Sequence, residues 1–401
     1  MKKVVVTGIG AVTAIGNNVN DYWEGLISGK CGMKTISRIP VEEHDTTVAA
    51  EVDASFEAEA SKYWKKRQLN ATTSITRMGL AAAGEAIEDC GIDTESYDLS
   101  RVGVVCGVID NSYEDAETEK PLNITLKKMP NEFPALISIK YGFGGPAFNL
   151  STACASSAYA MALGKQFIET GMCDMVVCGG ISNLVTHLVI KGFNQLLAMS
   201  VNPDPETAAR PFTKNRDGFI MGEGGGCVVI ESEESAKKRG AKIYCEFSGA
   251  SMCSEAYNLT APQTDGVGMA RSMRMALENA GIAPESVDYI NAHGTSTGLN
   301  DLYETMAIKE VFGAKAYDIP VSSIKAAIGH TLSAGGALEA IACIKSIETG
   351  IVPPTLHYDV PDPELDLNYV PNTAQKHNVG VAISNSFGFG GHNGTLVFKK
   401  Y

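Results

Sequence analysis

An α/β fold built on a largely parallel sheet is what this sequence predicts, on three observations. Short apolar runs alternate with segments of helical periodicity along the whole chain. Several of those runs close on glycine or another small residue, as strand–helix turns require. Glycine supplies 41 of the 401 residues, which suits many tight turns. In order, residues 4–7 read as a buried strand that breaks at Gly8. Residues 21–29 and 74–89 read as amphipathic helices, the second ending near Gly91. Strands follow at 101–107, 175–180 and 226–231. The remainder repeats the style, with a helix over 268–280, a strand over 287–292, a helix over 334–349 and a late strand over 379–384. No repeat of roughly 20 to 50 residues is visible. A charged, less apolar stretch over 231–242 is the best boundary, giving halves at 1–240 and 241–401. No Pro/Ser linker divides them, so the halves should pack as one body.

The formal net charge of −13 argues against nucleic acid or an anionic membrane surface as the main partner. Basic residues nonetheless cluster at Lys62, Lys65, Lys66 and Arg67, and at Lys127 and Lys128; taken alone, such groups read as solvated faces. Ten cysteines are scattered, mostly inside apolar runs, with no Cys-x-x-Cys pair and no Cys/His spacing typical of zinc. The expectation is a protein of the reducing cytoplasm without a metal. Met1-Lys2-Lys3 before three valines imitates a signal peptide, but the early break at Thr7-Gly8 fits an opening strand better. No apolar run reaches the roughly 18 residues of a membrane span, so no transmembrane helix is expected.

Cys154 is the most informative residue. It stands between a short strand, Ala147-Phe148-Asn149-Leu150, and a small, apolar helix starting near Ser156. A cysteine there meets unpaired backbone N–H groups and the positive end of a helix dipole, which favour a thiolate. Three other segments share this layout of a strand and a turn of small residues with a polar group. They carry His293 (in HGTST), Lys325 and His330 (in SSIKAAIGH), and Phe387 and Phe389 (in NSFGFGG). A lone histidine is more often a core residue than a catalyst. Two histidines beside glycine, each after a strand and accompanied by a reactive-looking cysteine, are better read as a site.

Those four motifs in order, from VVVTGIGAVTAIGN near the start to the last strand, resemble the β-ketoacyl-acyl-carrier-protein synthases. The likeness spans nearly the whole chain and is greatest to the elongating, decarboxylating type and its type II polyketide relatives. It implies the thiolase fold, two similar halves stacked as five α/β/α/β/α layers and paired as a homodimer, or as a heterodimer in a polyketide system. It implies that Cys154 accepts an acyl group from a carrier-protein thioester. His293 and His330 would then donate hydrogen bonds to a malonyl thioester as CO2 leaves. Lys325 and Glu339 would form a buried pair orienting the region of His330. The backbone N–H groups of Cys154 and Phe387 would make an oxyanion hole. Thr295 and Thr297 would bind the pantetheine arm, and Ile109 would floor the acyl pocket. The glycine-rich loop with Phe389 would act as a gate coupled to residues 254–266. Lys65, Lys66, Arg67, Lys127, Lys128 and Arg210 would dock the acidic carrier. No cofactor is implied beyond the phosphopantetheine that the carrier brings.

Three turns depart from the family pattern. Gly298 stands where Pro is usual, Ser333-Ala334-Gly335-Gly336 replaces Gly-Ala-Ala-Gly, and Ala14 replaces Pro. Residues 106–133 differ more, and polar Asp110 beside Ile109 leaves chain length open, so polyketide or polyene synthesis rivals fatty-acid elongation. A biosynthetic thiolase is disfavoured because the NSFGFGG loop lacks a cysteine. A cysteine-less chain-length partner is disfavoured because Cys154 is present.

Overall fold

The computed structural model describes residues 2–110 and 125–401. Ten strands form one hydrogen-bonded sheet: β1 (Val4–Thr13), β2 (Val102–Gly107), β3 (Ala147–Leu150), β4 (Met175–Ser182), β5 (Gly224–Ser232), β6 (Cys245–Ser254), β7 (Tyr289–Asn291), β8 (Val321–Ser322), β9 (Val381–Gly388) and β10 (His392–Lys399). Their spatial order is β8-β7-β9-β10-β6-β1-β5-β4-β2-β3. The main helices are α1 (Ser74–Cys90), α2 (Ser156–Glu169), α3 (His187–Gln195), α4 (Val267–Ala280), α5 (Gly298–Phe312), α6 (Lys325–Ile328) and α7 (Gly335–Thr349).

The sheet is mixed, not largely parallel. β3 with β2, β2 with β4, β8 with β7 and β7 with β9 run parallel. The other five neighbouring pairs are antiparallel. Apolar runs specify burial but not direction, which is why the expectation failed. Read inward from either edge, the pairings run parallel, parallel, antiparallel, antiparallel. The two series meet at β1 and β6, through the pairs Val5–Glu246 and Val6–Cys245. β1 also runs further than the break at Gly8 suggested. Gly8 and Gly10 are places where α1 lies directly on the strand: a Cβ on either would fall about 2 Å from a carbonyl of Ala86 or Ala82.

The helices sort into layers by what they touch. α1 covers β1, β5 and β4 from outside, and α4 covers β6 and β10 with α5 against it. α2 and α7 contact strands of both series and each other, so they form the middle layer. The result is the five-layer α/β/α/β/α stack. Apolar residues of α2 and α7 join those of β1, β4, β5, β6 and β10 in the largest core cluster. Burial of that size is the main stabilising term of the fold. The segments that follow β3, β7, β8 and β9 hold Cys154, His293, Lys325, His330 and Phe389 of the candidate site.

Candidate active site

Cys154 occupies a strained turn. Ala153 before it has φ +49° and Ala155 after it caps α2 without a side-chain bond. Ser156 closes the turn instead: its hydroxyl accepts from the Thr152 N–H at 2.9 Å and donates to the Ala153 carbonyl at 2.6 Å. Such strain persists only where surrounding contacts enforce it, which is common at functional sites.

His330 follows Gly329 (φ +70°) at the end of α6. Its main chain is pinned on both sides, donating to the Ile220 carbonyl at 2.7 Å and accepting from Gly222 N–H at 3.0 Å. The Leu332 N–H donates to its Nδ1 at 3.3 Å, so Nδ1 carries the lone pair and Nε2 the proton of the neutral ring. Nε2 lies 3.1 Å from the Cys154 sulfur. His293, after β7, is set in the same way from the other side. The Lys325 ammonium donates to its Nδ1 at 3.3 Å, again leaving Nε2 to carry the proton. The two rings meet edge to face at 5.3 Å, with Phe219 against His330 and Phe387 against His293.

Lys325 and Glu339 form a buried ion pair, 4 % and 2 % exposed. The pair serves His293, not the region of His330 as expected, because the Lys325 ammonium reaches the His293 ring. The oxyanion-hole assignment also changes. The backbone N–H groups beside the Cys154 sulfur are its own and that of Phe389. Phe387 is the last core residue of β9, two residues earlier, and its ring is spent on packing. Gly388 lets the loop pass close to the cysteine, since a Cβ there would lie 2.9 Å from the Thr152 carbonyl.

Burial dominates the electrostatics. It holds both imidazoles well below the usual histidine range, helped by the Lys325 cation, so both rings are neutral. It also pushes the Cys154 thiol up to about 11, against the opposing pull of Lys325 and the two backbone N–H groups. The helix N-terminus therefore does not make a standing thiolate in the unloaded enzyme, contrary to expectation. Alkylation of Cys154 by iodoacetamide, followed by peptide mass spectrometry, should accelerate about tenfold per pH unit between roughly pH 7 and 10. A rate that levels off below about pH 8 would show the sulfur already ionised.

A cavity of about 390 Å³ opens on these groups, lined by Cys154, His293, His330, Phe387, Phe389, Thr295 and Thr297. The two threonine hydroxyls are 2.9 Å apart. Ile109 does not line this cavity. It is half-buried in the apolar cluster that also contains Cys154. The NSFGFGG loop touches the 254–266 loop directly: Gly390 N–H donates to the Leu259 carbonyl at 2.7 Å and Glu255 N–H to that of Gly391 at 2.9 Å.

Sequence reasoning missed Glu304. Its buried carboxylate accepts from the N–H groups of His293 and Gly294, each at 2.8 Å, and from the Asn385 amide at 3.1 Å. It ties the His293 turn to β9, and burial pushes it up to about 7. Asp301 does similar work, accepting from Phe212 N–H at 2.8 Å and Ser296 N–H at 3.2 Å. Their spacing on the helix right after HGTST was the available signal.

Of the basic residues, Lys65, Lys66 and Arg67 are exposed at and beyond the start of a short helix (Lys66–Leu69), and Lys128 is exposed beside half-buried Lys127. Arg210 does not belong with them. It is 7 % exposed, and its guanidinium is consumed by the Asn215 and Thr207 carbonyls and Asp217. It braces its own loop. Gly298 opens α5 where a Cβ would meet nothing, so the missing proline leaves the turn undisturbed. Of the divergent 106–133 stretch, residues 111–124 lie outside the described residues.

Comparison with known proteins agrees with this geometry. The family model "Beta-ketoacyl synthase, N-terminal domain" matches residues 1–236 and "Beta-ketoacyl synthase, C-terminal domain" matches 244–359. The 3-oxoacyl-[acyl-carrier-protein] synthase 2 of Synechocystis sp. is 40% identical over 100% of this chain and 98% of its own. That of Staphylococcus aureus is 40% identical over 100% and 99%. Among solved structures, the ishigamide ketosynthase/chain length factor superposes with TM-score 0.91 at 32% identity, covering 100% of this chain and 99% of that one. A type II polyketide synthase acyl-carrier protein in complex with its ketosynthase bound to the hexaketide gives 0.88 at 31%, with the same coverage. A beta-ketoacyl synthase from Burkholderia phymatum gives 0.90 at 29%, covering all of both chains. The five-layer stack is the thiolase fold. With both family models matched in order and full-length relatives at 40% identity, the chain belongs to the β-ketoacyl synthase family.

Proposed function

We propose that this protein is a β-ketoacyl-acyl-carrier-protein synthase of fatty-acid elongation. Cys154 attacks an acyl-carrier thioester, the carrier thiol leaves, and the chain is held as a Cys154 thioester. Malonyl-carrier protein then enters. Its carboxylate departs as CO2, and the electron pair of the broken bond forms the enolate of an acetyl-carrier thioester. That enolate attacks the Cys154 thioester carbonyl and the sulfur leaves as thiolate, giving β-ketoacyl-carrier protein. The Nε2–H groups of His293 and His330 meet the enolate oxygen, and the Cys154 and Phe389 N–H groups meet the oxyanion of each acyl transfer. Two neutral imidazoles beside one buried sulfur is the observation that carries this reading: neutral rings present N–H donors where cations would also hold the malonyl carboxylate in place. The chemistry needs no cofactor beyond the phosphopantetheine arm, which Thr295 and Thr297 would bind.

The partner is an acidic acyl carrier protein, and the working unit a homodimer. Ten free, mostly buried cysteines fit the reducing cytoplasm, and no helix of the described residues is long and apolar enough to cross a membrane. The test is incubation with a panel of acyl-carrier proteins and malonyl-carrier protein. Saturated acyl chains should give β-ketoacyl-carrier product with one CO2 released per turnover; hydrolysis alone would reject the reading. A second reading, the ketosynthase subunit of a type II polyketide or polyene system with a cysteine-less partner, is favoured by the whole-chain likeness to a type II polyketide ketosynthase and to the ishigamide ketosynthase/chain length factor. Higher identity to the 3-oxoacyl synthases places elongation first. Docking is assigned to Lys65, Lys66, Arg67, Lys127 and Lys128. Reversing the charge of Lys65 and Lys66 should raise KM for carrier-bound substrate at low salt, with kcat unchanged. An unchanged KM would remove them from the docking surface.

A further inference from the structure

Far apart in sequence, Cys31, Glu206 and His357 converge. The Cys31 sulfur, a Glu206 carboxylate oxygen and a His357 ring nitrogen all lie within 4.8 Å of one another. Three separate segments supply them: the turn after the helix Val19–Ile27, the loop before Ala208, and the turn formed by Leu356 and His357. The spacing resembles no sequence motif for a metal, which is why the sequence suggested none. From this geometry we propose that Cys31, Glu206 and His357 form a binding site for a divalent transition-metal cation of the zinc class, with water completing the tetrahedron.

The chemistry of each donor fits. His357 Nδ1 is 2.6 Å from the Ala209 carbonyl, which can only accept, so Nδ1 carries the proton and Nε2 keeps its lone pair. A histidine whose second nitrogen donates to a carbonyl is the usual metal-ligating arrangement, because it fixes tautomer and ring orientation. His357 has φ +61°, in the left-handed region that histidine enters more readily than most non-glycine residues. The Cys31 thiol is half-buried, and its nearest acceptor is the Pro205 carbonyl at 3.7 Å. The negative charges of Glu206 and Asp204 act on it and would attract a cation, which on binding would displace the thiol proton. Glu206 is exposed and free to close the remaining distance, since tetrahedral zinc sets sulfur, nitrogen and oxygen ligands about 3.5 Å apart. A mixed sulfur, nitrogen and oxygen set selects zinc-like ions over magnesium or calcium.

The site is distinct from the cavity but reaches toward it. Ala208 and Ala209 pack beside Cys31, and the next residue, Arg210, donates its backbone N–H to the Ser296 hydroxyl of the HGTST turn at 3.1 Å. A bound cation would clip the segment that supports that turn.

The test uses full-length protein carrying Cys154→Ala, because Cys154, His293 and His330 also present three ligand atoms to one another. Chelator-treated protein is titrated with cobalt(II), then with zinc(II) in competition. One equivalent of cobalt should give a thiolate charge-transfer band. In the same background, Cys31→Ser and His357→Asn, the latter a residue tolerant of positive φ, should lose the band. Both should bind zinc more than about a hundredfold more weakly, beyond the cost of outer-shell changes. Circular dichroism without metal checks that each variant is folded. As a measurement independent of those variants, zinc should protect Cys31 from alkylation in the background protein, read on its peptide by mass spectrometry. No band in the background protein, a band that survives Cys31→Ser, or unprotected Cys31 would overturn the proposal.

Discussion

Replacing Lys325 with methionine should destabilise the protein by about 3–5 kcal/mol and nearly abolish condensation. The substitution leaves the Glu339 carboxylate buried, with the Ser386 hydroxyl at 3.4 Å as its remaining hydrogen bond among the described residues. It also frees Nδ1 of His293, so the ring no longer has a fixed tautomer. The double variant Lys325→Met/Glu339→Leu separates the two effects. It should regain most of the lost stability, because a packed apolar pair can replace a buried ion pair at little cost. It should not regain turnover, because nothing then fixes the His293 proton on Nε2. Urea unfolding and steady-state kinetics read the two quantities. A double variant with normal kcat would show that the pair is structural only.

Alanine at His293 or His330 is the second large effect. Each removes one donor aimed at developing enolate charge, worth roughly 10²–10³ in rate. The consequence differs by step. His293→Ala should still accept an acyl group, because the Cys154 and Phe389 N–H groups remain, and should fail when malonyl-carrier protein is added. His330→Ala should also load more slowly, since His330 Nε2 is the side-chain group 3.1 Å from the sulfur. The double variant should cost less than the product of the singles, as groups acting as a unit do. Single-turnover condensation from pre-loaded enzyme measures this directly. Equal loss of loading and condensation in His293→Ala would contradict the division of roles.

Much of the site was legible because it sits on turns. His293 and Cys154 each come just after a strand and His330 after the short helix α6 that follows β8, all among small residues, a pattern that residue types alone display. What failed to show was orientation. Whether the N–H of Phe387 or of Phe389 faces the sulfur depends on where β9 ends, and the strand runs four residues beyond the predicted 384. That extension buries Phe387 and delivers Phe389. The carrier-docking group expected from the resemblance likewise included Arg210, although its guanidinium is enclosed by its own loop. Lys325 was correctly paired with Glu339 but assigned to the nearer histidine in sequence; the fold brings it to the farther one. Strand direction was unreadable for a similar reason. β5 and β10 are buried nearly throughout, as β4 and β9 beside them are, yet both run antiparallel to their neighbours. Cys31, Glu206 and His357 show the limit most plainly, since only folding makes them neighbours.

The central claim is that the growing chain is held on Cys154 before the carbon–carbon bond forms. Intact-mass spectrometry tests it, on wild type and Cys154→Ala, each exposed to acyl-carrier protein alone and then to malonyl-carrier protein. Wild type should gain one acyl mass and lose it as β-ketoacyl-carrier protein appears; the variant, still folded, should gain none and form no product. Acylation at another residue, or product from the alanine variant, would contradict the account.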